Sequence, residues 1–451
     1  MMESFCGSFI TPDSPRYHEA RQEFNRSIQK FPCSIAYCAG EEDVVRAIRS
    51  ARASGRTVRV RSGGHSYEGF SVGDRAAVID VGCMDSIRLD SSAGTVTAGP
   101  GVRNRALYEA LGARGVPFPS GTCPEVAVAG LALGGGWGLS ARMFGLACDS
   151  LISATLIDAC GRRHTADATH DRELFFALRG GGGGSFGVAT SLTFRLPPRR
   201  FGVTYVELEA SCASAGMAAE FIRRFQRWLL EGDRRFTPLA RVVHTREERR
   251  GLILFGIFYG NAAEARASLK PFLDLGLRGV FEETTFLKAM RVVMDGYPPF
   301  EKFTTGGRFA YDLFTEEGAR GIVALTDRLA EGSVGATVSL YGLGGAVREV
   351  APNETAFFYR NALHTIALLT DWEDPAAKRG NLDWFAPRYE ALKKITCGSY
   401  VNFPNLGNFD YMRDYYGGNA RRLMRVKALI DPEDLFCHPQ SVYAVAPRCC
   451  P

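Results

Sequence analysis

The chain has 451 residues, 46% hydrophobic and 23% charged, with a formal net charge of +5 at pH 7. That length holds two or three domains with sizeable cores, and the balance is that of an ordinary soluble globular protein. The mild charge, with mixed-sign blocks such as Arg246–Arg250, argues against a nucleic-acid surface, and no run of about eighteen apolar residues offers a membrane span.

The chain opens on Met1-Met2-Glu3-Ser4-Phe5-Cys6. This stretch has neither a basic nor an apolar segment, so a cytoplasmic location is expected, or a secreted one if a leader has been trimmed. Residues 41–55 place apolar side chains at helical spacing and end on Gly55, which predicts an amphipathic helix. The β-rich run Thr57–Arg61 follows and feeds into Ser62-Gly63-Gly64-His65-Ser66-Tyr67. Strands are predicted at Ala77–Val81 and Gly94–Gly99, then a helix near 103–114, then the loop Gly121-Thr122-Cys123-Pro124. Helices alternating with short strands around two loops predict an α+β domain.

Composition changes at Pro197-Pro198-Arg199-Arg200, a candidate boundary. Beyond it, Phe201–Leu208 and Leu252–Tyr259 read as long strands. Between them lies an amphipathic helix over 215–230, with Phe221, Phe225, Trp228 and Leu229 on its apolar side as core. Strand-like Ala336–Tyr341 and 363–369 continue the pattern. The expected organisation is a first domain over 1–200, a sheet backed by helices over 201–395, and a segment over 396–451 that returns to the first domain. Twelve cysteines are scattered without partners at zinc spacing, Cys33 with Cys38 and the terminal Cys449-Cys450 included. They are read as reduced thiols, and no metal site is expected.

Four blocks carry chemistry. Two glycines after a strand, before His65, present successive backbone N–H groups that can hold a pyrophosphate, although such a turn can also be purely structural. Cys123 sits in a stretch running through Gly130 into Gly134-Gly135-Gly136-Trp137-Gly138, too glycine-rich for a good helix interior and suited to backbone packed on a flat ligand. The run Gly180–Gly184 reads as a linker or a ligand-hugging loop, and its well-patterned flanks favour the loop. Tyr400-Val401-Asn402-Phe403 is the fourth block.

The order of these blocks resembles the FAD-linked oxidases of the vanillyl-alcohol oxidase superfamily, and within it the berberine bridge enzyme-like branch. The resemblance implies a two-domain fold with a PCMH-type FAD-binding domain and an antiparallel substrate-domain sheet. It implies that His65 bonds the flavin 8α-methyl and Cys123 bonds C6, with the backbone of Ser62–Ser66 on the pyrophosphate. Arg61, Gly63, Gly64, Gly121, Thr122, Val128, Gly130, Gly134, Gly135, Gly138, Val188 and Asn402 complete the implied FAD site. Tyr400 matches the family's catalytic tyrosine, and Tyr67 a partner close to it. An unperturbed phenol is a poor base at neutral pH, so its proton loss needs a supporting environment or must accompany hydride departure.

Two positions depart from the family pattern. Phe403 stands where a second tyrosine often follows Tyr-x-Asn, and Ala367 where other members carry a carboxylate or a glutamine. His364 nearby reads as a core or surface histidine, and the small Val126 suggests access for oxygen. The expected activity is oxidation of an alcohol or carbohydrate hydroxyl or hemiacetal by FAD held through His65 and Cys123, with O₂ as acceptor and H₂O₂ as product. The alternatives are C–N or C–H oxidation of an amine or aromatic natural product, and a flavin-loaded binding protein without turnover. Tyr205, Glu207, Phe258, Arg308, Tyr311 and Tyr341 are the candidate substrate wall. A small-molecule substrate and O₂ are the expected partners, with no nucleic acid and no membrane.

Overall fold

The computed structural model describes residues 5–247 and 250–444. The first four residues, two of the mixed-charge block and the Cys449-Cys450 pair lie outside the described residues. The ten described cysteines are free.

Three sheets organise the chain. The first has four strands in the order Ser8–Ile10, Ser34–Tyr37, Ala77–Asp80, Val58–Arg61. The last three run parallel, because helix Glu41–Ala53 carries the chain back between Ser34–Tyr37 and Val58–Arg61. That helix is held at its start by Asp43, whose carboxylate accepts the backbone N–H groups of Cys6, Gly7 and Ala39. The second sheet is antiparallel, in the order Ile87–Asp90, Thr95–Ala98, Val188–Arg195, Leu151–Ile157, Arg163–Asp167.

The third sheet has eight antiparallel strands. They run in the order Arg278–Thr284, Val203–Ala210, Gly251–Phe258, Leu239–Thr245, Ser333–Gly342, His364–Trp372, Phe303–Ala310, Cys397–Ser399. Side chains alternate across it with the period of two that any strand imposes. Val206, Leu208, Ala240, Val242, Leu252, Leu254, Ile366 and Leu368 point into one core with the apolar face of helix Ala215–Glu231. Phe221, Phe225, Trp228 and Leu229 lie in that core. The residues between them, among them Tyr205, Leu239, Phe255, Ile257 and Phe309, belong to a second core shared with the first half of the chain.

The C-terminal helices Tyr411–Tyr416 and Ala420–Ile430 return to the first half. Lys427 Nζ donates to the carbonyls of Ser185 and Phe436, and the Tyr416 hydroxyl donates to Gly181. Among the described residues no helix is long and apolar enough to cross a membrane, and no cluster of metal-ligating side chains occurs.

Candidate active site

Four stretches far apart in sequence meet at one cavity of about 1360 Å³, open solvent included. Its walls are the loop Ser62–Tyr67, the residues Val126, Ala127, Ala129, Gly130 and Leu131, the glycines Gly182–Gly184, and Val401–Pro404 with Asn402 and Phe403. Arg59, His438 and Gln440 also line it.

The His65 loop is fixed from below. Arg61 turns away from the cavity, with Nε 2.5 Å from Asp80 Oδ2 and Nη1 3.5 Å from Glu23 Oε1. This buried ion-pair group anchors the end of the strand, so Arg61 positions the loop and is not a cavity residue. Gly64, at φ +67°, then reverses the chain, a conformation that costs an L side chain roughly 1–2 kcal/mol. His65 stacks on Phe24 with ring centroids 4.3 Å apart. Burial, with the charge of Arg103, pushes its pKa down to about 3, so the imidazole is neutral and keeps a free lone pair at physiological pH. Tyr67 stacks on Phe403 at 5.5 Å and meets Phe303 edge-on at 5.1 Å, and burial raises its pKa well above 10.

The Cys123 loop is tied to the His65 loop by Arg103, which donates through Nη1 to the carbonyls of Gly63, at 3.0 Å, and Glu125. Asn104 Nδ2 donates to the Cys123 carbonyl at 2.9 Å, and the Tyr108 hydroxyl to that of Gly121 at 2.9 Å. Thr122 and Tyr297 share a 2.6 Å hydroxyl–hydroxyl hydrogen bond. Cys123 itself is half-buried, and burial pushes its thiol up to about 11 although the Glu125 and Val126 N–H groups favour the thiolate. It stands beside the cavity rather than on its wall.

Tyr400 is placed differently from the expectation. Its side chain is buried in the core against Phe309, Phe357 and Phe403, off the cavity wall. Its hydroxyl oxygen accepts three N–H groups, from Gly136 at 3.0 Å, Trp137 at 3.2 Å and Asn402 Nδ2 at 3.2 Å. Burial nevertheless pushes its pKa up to about 12. Val401, Asn402, Phe403 and Pro404 of this segment line the cavity, while the turn pairs Tyr400 N with the Gly307 carbonyl and Gly307 N with the Phe403 carbonyl. Tyr400 therefore locks the C-terminal segment onto the glycine turn.

Several expected cofactor contacts lie behind the wall. Val128 and Val188 are fully buried core residues. Gly121, Gly134, Gly135 and Gly138 let protein approach protein: a Cβ there would meet Leu131, Asn402, Phe357 and Ser120 respectively. Thr122 bonds Tyr297 instead of a cofactor. Ser62, Gly63, Gly64, His65, Ser66, Gly130 and Asn402 do line the cavity.

The expected substrate wall is split by strand alternation. Phe258 is buried in the helix-side core, and Arg308 turns to that side to pair with Asp414 at 2.6 Å, so both leave the site. Tyr311 is exposed beyond the end of its strand. Tyr205 and Glu207 hydrogen-bond each other at 2.7 Å on the site-facing side, but four strands away from Ala367. Tyr341 alone stands at the site, edge-on to Trp137 at 4.9 Å and 5.0 Å from Phe403. His364 is fully buried against Gln226, a core histidine.

Sequence reading missed Arg59, His438 and Gln440 on the cavity wall, and Arg103, Tyr297 and Glu301 beside the two loops. The first lies directly before the glycine-histidine loop and could have been found there. The others carry no local signal, since only folding brings them to the site. Glu301 is half-buried with its pKa raised by burial and by Asp371, and its charge acts on both Tyr67 and Cys123. Its carboxylate accepts no hydrogen bond among the described residues.

The comparisons agree with this geometry. A family model described as "FAD binding domain" matches residues 32–167, and one described as "Berberine and berberine like" matches 399–443. The uncharacterized FAD-linked oxidoreductase YgaK of Bacillus subtilis is 33% identical, over 97% of this chain and 96% of its own. A xylooligosaccharide oxidase of Thermothelomyces thermophilus is 29% identical, over 93% of this chain and 88% of its own. Among solved structures, Physcomitrella patens BBE-like 1 is 25% identical, with TM-score 0.89 and 98% of both chains covered. The cavity fits FAD on its own terms. Arg59 carries a buried Nε without a partner. A Cβ on Gly130 would meet nothing within 4 Å, and on Gly183 only Gly130 at 3.9 Å, so these glycines leave a groove that only a ligand fills. The chain, with its PCMH-like fold and large antiparallel sheet, belongs to the berberine bridge enzyme-like family of FAD-linked oxidoreductases.

Proposed function

We propose that this protein is an oxidase holding FAD through both His65 and Cys123 and acting on an alcohol, in particular a carbohydrate hydroxyl or hemiacetal carbon. FAD held by His65 and Cys123 would supply the hydride acceptor, with O₂ as the final acceptor and H₂O₂ as product. The protein's part is to fix the ring and to handle the proton. Neutral His65 and the Cys123 loop, joined by Arg103, give two attachment points that prevent loss and tilting of the cofactor. Arg59 and the loop Ser62–Ser66 supply donors to its phosphates, and Gly182–Gly184 the room beside it.

One observation carries the alcohol reading. The carboxylate of Glu301, two residues before the Phe303 that meets Tyr67 edge-on at 5.1 Å, is half-buried and lacks a hydrogen-bond partner among the described residues. A carboxylate is a better proton acceptor at neutral pH than a buried phenol, and burial raises its basicity further. In this reading Tyr67 orients the substrate hydroxyl and Glu301 takes up its proton as hydride leaves the carbon. The name of the xylooligosaccharide oxidase relative supports a sugar hydroxyl as donor.

A panel of oligosaccharides, amines and aromatic alcohols, read by anaerobic bleaching of the flavin and then by peroxide release, tests it. Bleaching by sugars is the expected result. Bleaching by amines or aromatic natural products alone would replace it with the second reading, favoured by the aromatic walls Trp137–Tyr341 and Tyr67–Phe403. No bleaching by any of them would leave a flavin-loaded binding protein.

A further inference from the structure

The site-facing side of the eight-stranded sheet carries Arg241, a cation that the oxidation does not use. Arg241 lies between Ala240 and Val242, both fully buried on the helix side, so its own side chain takes the opposite, site-facing side. Strand register puts it in a straight row: Arg241 opposite Ser339, Ser339 opposite Ala367, Ala367 opposite Gly307. Gly307 is in turn covered by Phe403 of the cavity wall. Ser339, Ala367 and Gly307 are small, so the row forms a flat floor, and Arg241 is the first long side chain met along it. With strands about 4.8 Å apart, the Arg241 backbone lies roughly 10 Å from that of Ala367.

Arg241 is half-buried, and among the described residues its guanidinium has no hydrogen bond or ion pair. Its one contact is with the ring of Phe255, 5.3 Å away. Two buried arginines, by contrast, are paired: Arg308 with Asp414 at 2.6 Å and Arg360 with Asp149 at 2.7 Å. A guanidinium withdrawn from water keeps five donors to satisfy, and its planar fork matches a carboxylate. Glu301 and Tyr341 feel its charge, but Glu301 stays outside ion-pair distance.

Resting on the oxidase reading for the location of the substrate, we infer that Arg241 anchors a carboxylate on the substrate, so that the enzyme selects an acidic hydroxyl compound over its neutral counterpart. The floor of small residues is the space in which the body of that compound lies between Arg241 and the cavity.

The test titrates flavin-loaded wild type and Arg241→Met with two probe pairs: a uronic-acid disaccharide and its methyl ester, and an aromatic hydroxy acid and its methyl ester. Binding is read from perturbation of the flavin absorbance, and turnover from anaerobic bleaching. The expected result is that wild type binds one or both free acids at least ten-fold more tightly than the ester, and that Arg241→Met removes the difference while leaving ester binding within two-fold. Arg241→Lys should restore part of it. Preferential binding of an acid without bleaching upholds the anchor and counts against the oxidase reading for that compound. Equal binding of acid and ester by wild type, or an equal loss for both in Arg241→Met, overturns the anchor and makes Arg241 a counter-charge for Glu301.

Discussion

Around the cofactor cavity the chain presents mostly backbone and glycine, whereas on the sheet face beside it the chain presents side chains from strands far apart in sequence, from Arg241 to Ala367. The cavity loops are continuous in sequence: Ser62–Tyr67, most of Val126–Leu131, Gly182–Gly184 and Val401–Pro404 each contribute as a block. The sheet face is a mosaic, in which Arg241, Ser339, Ala367 and Gly307 form one row only because four strands are in register. A block of backbone binds the part of a ligand that does not change, and a mosaic of side chains can be altered one position at a time. On the proposed function, cofactor class is thus written in the loops and substrate choice in the sheet.

The strongest way to break this division is at the two tethers. His65→Ala combined with Cys123→Ala should release essentially all flavin into the supernatant on acid precipitation, whereas each single variant should keep it with the protein. Loss of all colour from either single variant would reduce the pair to one attachment.

On the side-chain face, Glu301→Gln should lower the anaerobic flavin-reduction rate by about 10²–10⁴-fold, the usual contribution of a positioned acid or base, with the substrate dissociation constant little changed. An unchanged reduction rate would remove Glu301 from the proton's path.

Tyr400 tests the boundary between the two regions. Tyr400→Phe leaves the Gly136 and Trp137 N–H groups without their shared acceptor, at about 1–3 kcal/mol for a buried donor. Thermal unfolding should therefore shift down by several degrees while the flavin-reduction rate stays within two-fold. A large fall in that rate at unchanged stability would return Tyr400 to the chemistry.

The smallest effect concerns Glu68, beside the His65 loop. Burial pushes its pKa up to about 7, although Leu406 N donates to it at 3.1 Å. The folded state therefore holds this proton more tightly than the unfolded one, and stability falls as pH rises from about 4.5 to 7. Glu68→Gln should flatten that part of the pH profile of the melting temperature by a few degrees. An unaltered profile would show that Glu68 is solvated.

Helix 41–53 and strands 58–61, 77–80 and 95–98 were legible because each has its own periodicity and its own turn residues. Their parallel pairing in the first sheet was not, since pairing direction depends on where the crossover helix packs. Ser62–Ser66 with Gly130 and Gly182–Gly184 could be read as a ligand groove, because glycine runs in both contexts have few other uses. Which glycines face the ligand could not be read: Gly134, Gly135 and Gly138 look the same in sequence, yet they admit Asn402, Phe357 and Ser120. Tyr400 and Phe403 make the same point. Three residues apart in one turn, they exchange the roles their types suggest: Phe403 lines the cavity and Tyr400 is buried off its wall.

By itself the sequence determined the alternation of elements, the glycine loops and the two nucleophiles His65 and Cys123, all of which follow from local residue chemistry. Tertiary structure alone decided that Arg61 is a buried brace, that Phe258 and Arg308 point away from the site, and that Arg103 and Tyr297 tie down the Cys123 loop. The reason is geometric. A strand shows only every other side chain to a given face, and which face meets the cofactor is settled by the packing of one sheet against a distant part of the chain.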